Sequence, residues 1–494
     1  MPSSSTNEWA KAEKEIAQDQ QLQAKITNEE FKIWKKTVPL LYDFIHTFAL
    51  DHPSTIVRWL PKYQLVDNDT NVEVQLLLSS NTINSPENSL ELASVTLPST
   101  LVGKEGNGVL PADGIDTSNF KRLTKWKQNS VTNALKLSPD GSIALSFNGD
   151  GIIRGCNLTS DKVVDYKYHK QPGFALEWIS NNNEKFLSGA NDSQIALWQL
   201  EKPSTPIQLF KSHHGAINDI STSNANIFGS VSDDSTTQFH DLRVASVGDI
   251  NPVIKQENKF IQNCIQFHPQ INTFYATGGK DNVVSLYDLR NYKIPFRKLF
   301  GHNASIRQLE WDTFNPSTLV SCGLDSRILF WNLDNLEEDY TYPETSATAN
   351  SETSKRKTQQ SSKPDPCLKY VHGGHVGRIN DFTIHPKIPN LFASVGDDRL
   401  LEIWEPKTLL VEEEDEEEEE EQAQEKEQEQ EEEQEEAEGE ERKEEESEQR
   451  KEDEKGEEKE KEKSSEAEVE AGAGKSSKDD DNDASSSKDV EMKD

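Results

Sequence analysis

The sequence predicts an all-β fold, a seven-bladed β-propeller, carrying an N-terminal α-helix and a disordered acidic C-terminal tail. Three observations carry this expectation. A short segment recurs six times at a nearly constant step. Runs of period-two apolar residues precede its first occurrence. The net charge of -36 over 494 residues is gathered at one end of the chain.

The recurring segments are GDGIIRGC, NDSQIALW, DDSTTQFH, KDNVVSLY, LDSRILFW and DDRLLEIW. In each, an aspartate stands six residues before the terminal position: Asp150/Cys156, Asp192/Trp198, Asp234/His240, Asp281/Tyr287, Asp325/Trp331 and Asp398/Trp404. The terminal positions are 42, 42, 47, 44 and 73 residues apart. The last step is one period of about 43 plus an insertion of about 30, over residues 334–366. Upstream stand His214-Gly215, Gly301-His302 and Gly374-His375. Six segments in register resemble the WD40 repeat over residues 120–408. That resemblance implies four strands per blade and a ring closed by a strand from the opposite terminus. The turn aspartates, His214, His302 and His375, and Trp198, Trp331 and Trp404 are expected to form buried hydrogen-bonded sets, because buried polar groups need partners. Alternating runs at Ile56–Leu60, Val72–Leu78 and Leu90–Leu97 are expected to supply the seventh blade.

Residues 1–27 are polar and are expected to be poorly ordered. From Asn28 the period changes: Phe31, Trp34, Val38, Leu41, Tyr42, Ile45 and Phe48 recur at spacings of three and four, which predicts a helix over 28–50. Asn28 is its candidate cap, and Pro39 predicts a kink or break near Val38. The propeller is expected over 51–408 and the tail over 409–494. From Glu412 onward the chain carries roughly 29 of the excess negative charges and almost no aromatic residue, a composition that cannot bury a core.

Composition excludes several function classes. Cys156, Cys264, Cys322 and Cys367 form no CxxC pair, so no zinc site or disulfide framework is expected. The first thirty residues do not resemble a secretion signal, and no apolar run reaches the ~18 residues of a membrane span. The expected location is therefore cytoplasm and nucleus, with no membrane partner. Acidity argues against direct nucleic-acid binding and favours a basic partner. No nucleophile elbow, phosphate loop or metalloprotease helix occurs. Asn148-Gly149-Asp150-Gly151 reads as a turn, and His372-Gly373-Gly374-His375 as a repeat start. No catalytic residue, cofactor or metal is expected.

The apolar helix has no role in closing a ring, so it must pack on something or form one wall of a groove. Glu29-Glu30-Phe31-Lys32-Ile33-Trp34-Lys35-Lys36, Pro39-Leu40-Leu41-Tyr42-Asp43-Phe44, Pro53-Ser54, Trp59-Leu60-Pro61, His372–His375 and Ile379-Asn380-Asp381-Phe382 resemble the retinoblastoma-binding group of histone-binding WD-repeat proteins. Val38–Phe44 and Asn380–Phe382 look most like its fungal branch, the regulatory subunits of type B histone acetyltransferases. The resemblance implies a non-catalytic subunit presenting histone H4 to a catalytic acetyltransferase subunit. Chromatin assembly factor, deacetylase or remodelling complexes, and generic WD40 adaptors stay open as alternatives.

The first helix of H4 is implied to lie between the N-terminal helix and the inserted loop. Phe31, Trp34, Leu40, Leu41, Asp365, Pro366, Cys367, Leu368, Lys369, Tyr370 and Val371 are the implied groove residues. The sequence departs from the group where Lys363 and Cys367 stand at positions often acidic, leaving Asp365 nearby. Glu337-Glu338-Asp339 and the tail are alternative sources of charge. The resemblance also implies an H3-tail site on the propeller face. There Ser130, Pro172, Asn218 and Ser305 stand at glutamate positions while Phe174 keeps an aromatic one. The same face, with Asn303, Ser305, Arg307 and Arg378, is the alternative contact for a catalytic subunit. Lys355-Arg356-Lys357 is a weak nuclear-import motif.

Overall fold

A computed structural model describes residue 22 and residues 25–67, 69–82, 88–105, 120–160, 162–180, 182–223, 226–244, 251–337 and 364–407. The tail, most of the insertion, Glu338, Asp339, Lys355–Lys357, Lys363 and most of segment 1–27 lie outside the described residues. Within them, seven antiparallel four-stranded sheets follow one another as blades. Blade 1 is Ser54–Val66, Asn71–Ser80, Asn88–Pro98 and Lys121–Gln128. Blades 2 to 6 begin with the inner strands Thr132–Leu137, Gly173–Trp178, Ile217–Thr222, Gln262–Phe267 and Ile306–Trp311. Blade 7 combines Ile379–Ile384, Phe392–Gly396 and Leu400–Pro406 with the strand Tyr42–Ala49.

That last strand corrects the expected helix over 28–50. The helix, α1, occupies residues 25–41, and residues 42–49 are extended. Pro39 lacks the N–H that the last turn needs, so the helix ends two residues later. Beyond it, aromatic and β-branched side chains favour a strand. Tyr42, Phe44 and Phe48 are buried while Asp43, Thr47 and Ala49 face out. The strand pairs antiparallel with Leu400–Pro406, from Ala49 opposite Leu400 to Phe44 opposite Glu405. The helix also starts before Asn28, since residues 25–27 are helical.

Adjacent blades are tied by a repeated hydrogen bond near the start of six of the seven inner strands. Thr55 Oγ1 donates to Thr132 O (2.8 Å), Asn133 to Gly173 O (3.2 Å), Asn218 to Gln262 O (3.0 Å) and Asn263 to Ile306 O (2.7 Å). Arg307 Nε donates to Asn380 O (2.6 Å), and Asn380 to Ser54 O (3.0 Å). At the corresponding position of blade 3 stands Phe174, whose ring has no donor to offer.

The predicted buried sets are present in three blades in full. His302 bonds Asp325 (3.0 Å) and Ser321 (2.8 Å), and Trp331 Nε1 donates to the same serine (2.8 Å). His375, Asp398, Ser394 and Trp404 repeat this arrangement. So do His169, Asp192, Ser188 and Trp198, a set whose histidine lacks the glycine neighbour that marks the others. Burial alone would raise these aspartates, but the imidazole hydrogen bond overrides it and holds Asp192, Asp325 and Asp398 below the usual carboxylate range.

Both His213 and His214 read as structural histidines in the sequence; in blade 4 the role falls to His213 alone. His213 contacts Asp234 (3.0 Å) and Ser230 (2.9 Å), whereas His214 is exposed and offers Asp234 only its backbone N–H (3.0 Å). The deciding spacing is four residues to the first buried residue of the next inner strand. It is shared by His213/Ile217, His302/Ile306 and His375/Ile379. Asp281 and Asp150 have no such imidazole. Asn258 stands four residues before Gln262, and Asp281 is pushed up by burial. Gln128 stands four before Thr132 and bonds Arg154 (3.1 Å) and Asn148 (3.1 Å), while Asp150 accepts from Ile152 N (3.0 Å) in its turn.

The insertion leaves blade 6 after its third strand, through the 3₁₀ turn Leu333–Glu337, and returns as the fourth strand, Leu368–His372. Asn332 N–H to Cys367 O (2.8 Å) closes its neck. Among the described residues no helix is long and apolar enough to cross a membrane.

Phe48 joins the closing strand to the apolar cluster of Val57, Trp59, Leu401 and Ile403. Phe48→Ala is expected to lower unfolding free energy by about 3 kcal/mol, measured by urea titration. A loss under 1 kcal/mol means that the strand does not close the ring as described.

Candidate functional site

Helix α1 has two apolar faces with different fates. Trp34, Val38 and Leu41, at helical spacing, pack on the cluster of Tyr42, Phe330, Tyr370, Phe382 and Trp404. Ile33 and Leu40 point away and remain 62% and 73% exposed. Phe31 is half-buried and stacks on Trp34, with ring centroids 5.4 Å apart.

The helix runs along the returning strand of blade 6. Near its C-terminal end, Tyr370 Oη donates to Leu41 O (3.4 Å). One turn or two earlier, Trp34 lies beside Gly373. Toward the N-terminus, Glu30 pairs with Arg327 (2.8 Å) on a turn of blade 6. A cleft of about 230 Å³ lies along this seam, lined by Phe31, Ile33, Trp34, Thr37, Val371 and His375 among others.

Strand alternation divides the remaining predicted groove residues. Tyr370 is buried, with its ring edge-on to Tyr42 (5.8 Å) and Phe330 (5.5 Å). Val371, its neighbour, is 37% exposed, and Lys369 and Leu368 are intermediate. Leu368 packs with Leu333 and Leu336 beside the blade 6 cluster. Ile33 and Val371 are therefore the solvent-facing apolar residues of the cleft; Leu40, seven residues on from Ile33 and so on the same helix face, lies outside its lining, while Tyr370, Trp34 and Leu41 support the helix from below.

Asp365 and Cys367 do not face the groove. Asp365 is fully buried, pairs with Arg297 (2.9 Å), and accepts from Phe300 N (3.1 Å) and Cys367 N (3.1 Å). Its role is to hold the neck of the insertion; Pro366 is intermediate beside it. Cys367 is buried, and burial pushes its thiol up. The acids that line the cleft are Glu30 and Asp325, paired with Arg327 and His302, and two further carboxylates that sequence reasoning missed lie near the C-terminal end of α1. Asp43 is exposed at the irregularity where α1 becomes a strand, and Glu405 lies opposite Phe44. Burial, then the neighbouring Asp43 carboxylate, pushes Glu405 up to about 7. The helix C-terminus adds a partial negative charge at the same place. Only the strand pairing brings these carboxylates together.

His372, His375 and Glu402 are buried with potential ligand atoms within 4.8 Å of one another. Both nitrogens of His375 are already engaged by Asp398 and Ser394, so a hydrogen-bonded network explains the group.

The face residues gather only in part. Phe174, Asn218, Ser305 and Arg307 line a cavity of about 940 Å³ that runs along the inner strands from Ser305 to Thr313, whereas Asn303 and Arg378 are exposed outside its lining. Asn218 and Arg307 are committed to blade-to-blade bonds, and Ser305 Oγ donates to Gly279 O (3.2 Å). The lining sets Arg58, Lys136, Lys280 and Arg307 against Asp219, Glu310 and Asp381. It carries no acidic surplus of the kind that a basic tail requires.

Comparison with known proteins bears on the same segments. A family model for the histone-binding protein RBBP4 and its counterpart in the CAF1 complex matches residues 29–99, which span α1, the closing strand and most of blade 1. A WD-domain G-beta repeat model matches residues 293–332. Histone acetyltransferase type B subunit 2 of Candida glabrata is 31% identical over 409 residues, covering 80% of this chain and 92% of the relative. The chain belongs to the RBBP4/CAF1C histone-binding WD-repeat family. The proteins of the same description from Eremothecium gossypii and Debaryomyces hansenii are each 27% identical, over 79% and 81% of this chain and 88% and 96% of their own lengths. The α1 segment on which the family model begins is the part of the fold that a propeller does not itself require.

Two outcomes follow. The Arg297–Asp365 pair is sealed from water, so Asp365→Ala takes the paired carboxylate from a buried guanidinium; a loss of about 3–5 kcal/mol is expected by urea unfolding. A surface-like change below 1 kcal/mol contradicts the burial. Glu405 binds its proton more tightly folded than unfolded, so its contribution to stability is present below the ordinary carboxyl range and is lost as pH rises through about 7. Glu405→Gln is expected to gain melting temperature relative to the parent between pH 5 and pH 8. Equal gains at both pH values contradict the raised carboxyl.

Proposed function

We propose that this chain is a non-catalytic histone-binding subunit that holds the first helix of histone H4 for the catalytic subunit of a type B histone acetyltransferase. The observation that carries this reading is the second apolar face of α1. A helix already packed through Trp34, Val38 and Leu41 keeps Ile33 and Leu40 uncovered beside the exposed Val371. An amphipathic helix laid along this strip covers all three. Asp43, exposed at the helix end, then stands where a basic side chain of such a ligand is favoured.

The histone assignment is supported by the family model that begins at residue 29, and the acetyltransferase assignment by relatives whose description is histone acetyltransferase type B subunit 2. In this reading the propeller supplies binding and orientation, and the acetyl-transfer chemistry resides in the partner.

Leu40→Glu combined with Val371→Glu is the direct test, because both side chains are exposed and neither supports the core. Affinity for a fluorescent H4 first-helix peptide is expected to fall roughly 30-fold or more, the scale of losing about 2 kcal/mol at a contact centre. An unchanged dissociation constant in anisotropy titrations sinks the groove reading. Recovery of acetyltransferase activity with the affinity-purified native chain tests the second half.

A further inference from the structure

We infer that Glu402 and His372 set the orientation of α1, and with it the geometry of the groove, through a chain of buried polar contacts ending at Trp34. The inference rests on the groove being the docking site and adds which residues position its helical wall.

The direction of the chain follows from which groups can donate. Trp34 Nε1 carries only a hydrogen and lies 2.9 Å from Tyr42 Oη, so the tyrosine oxygen accepts. The tyrosine's own hydrogen is then directed to His372 Nδ1, 2.8 Å away. An imidazole that accepts at Nδ1 carries its hydrogen on Nε2. That atom lies 3.1 Å from Glu402 Oε2, a close polar contact rather than an aligned hydrogen bond, and a carboxylate at that distance favours the hydrogen on Nε2. Burial holds His372 below its usual range, in keeping with a neutral ring, while the imidazoles of His375 and His372 outweigh burial and hold Glu402 below its own. Glu402 is thus the carboxylate that fixes the tautomer, the tautomer fixes the tyrosine hydroxyl, and the hydroxyl receives the helix.

Packing leaves little room for another arrangement. His372 stacks flat on Trp404, with centroids 4.1 Å apart and planes at 5°. Both histidine and glutamate side chains are sealed from solvent. Gly374 is required here, because a Cβ at that position would collide with Glu402 Oε2. His375 lies farther off, at 3.9 Å, and has its own partners in the blade 7 set. Glu402 belongs to blade 7, His372 to blade 6, and Tyr42 to the closing strand. Three elements of the ring therefore converge on one helix residue.

The test uses the full chain, with hydrogen exchange of residues 25–41 and H4-peptide anisotropy read side by side. Tyr42→Phe keeps the ring packing and removes only the relay oxygen. Glu402→Leu removes the terminal acceptor, and Glu402→Gln restores one. Tyr42→Phe and Glu402→Leu are expected to speed exchange in α1 and to raise the peptide dissociation constant roughly 5- to 10-fold, the scale of one net hydrogen bond. Inner strands of blades 2 to 5 should exchange as in the parent, and Glu402→Gln should stay within about twofold of the parent on both readouts. Exchange in α1 unchanged by Tyr42→Phe overturns the inference, as does a Gln variant as impaired as the Leu variant. Faster exchange in α1 with no peptide binding by any form, parent included, supports the anchor and overturns the histone reading alone.

Discussion

The pairing of Tyr42–Ala49 with Leu400–Pro406 is the constraint on which the other features depend. It gives blade 7 its fourth strand, and it brings the two ends of the folded region together. An unpaired outer strand would leave a row of backbone donors and acceptors open to other chains. The same pairing delivers α1 to the seam between blades 6 and 7, because the helix ends where the strand begins. Tyr42 is the joint. Its side chain packs in the core, accepts from Trp34 and donates to His372. The ring and the groove are thus held by a single stretch of backbone rather than by two separate devices.

Most of the chemically suggestive residues are spent inside the fold. Histidines and aspartates at blade turns form hydrogen-bonded sets that would be costly if either member were left alone in an apolar setting. Asp365, an acid expected at the groove, neutralises Arg297 instead. What remains for recognition is modest in chemistry and specific in place. It consists of a few uncovered apolar side chains on a braced helix, with two carboxylates at one end.

Seven blades were legible in the sequence because the Asp-to-terminal spacing of six recurs in six segments, and because the strands of blade 1 alternate cleanly. Residues 42–49 were not, for a physical reason. Leu41, Tyr42, Ile45 and Phe48 satisfy a helical spacing, while Tyr42, Phe44 and Phe48 satisfy a strand spacing. Eight residues are too few to separate the two periods. His213 and His214 are adjacent, and only the offset to Ile217 tells them apart. In the groove, Leu40 and Val371 were identified by resemblance, as was Tyr370. Alternation along Leu368–His372 sends the tyrosine inward and the valine outward, a distinction that needs the strand's register. Asp43 and Glu405 are distant in sequence, and nothing local marks them as neighbours.

The neck of the insertion carries a consequence for how this protein can change. Asn332 and Cys367 are joined by a backbone hydrogen bond, and Asp365 clamps the returning chain to blade 5 through Arg297 and Phe300. The 27 residues between Glu337 and Asp365 can be lengthened or shortened while both ends stay anchored, since closing a longer loop costs only ~0.6 kcal/mol per doubling. The insertion is therefore free to diversify at the pace of a surface loop, while the groove wall built on α1 is tied to the closure of the ring. The one can drift while the other keeps its register.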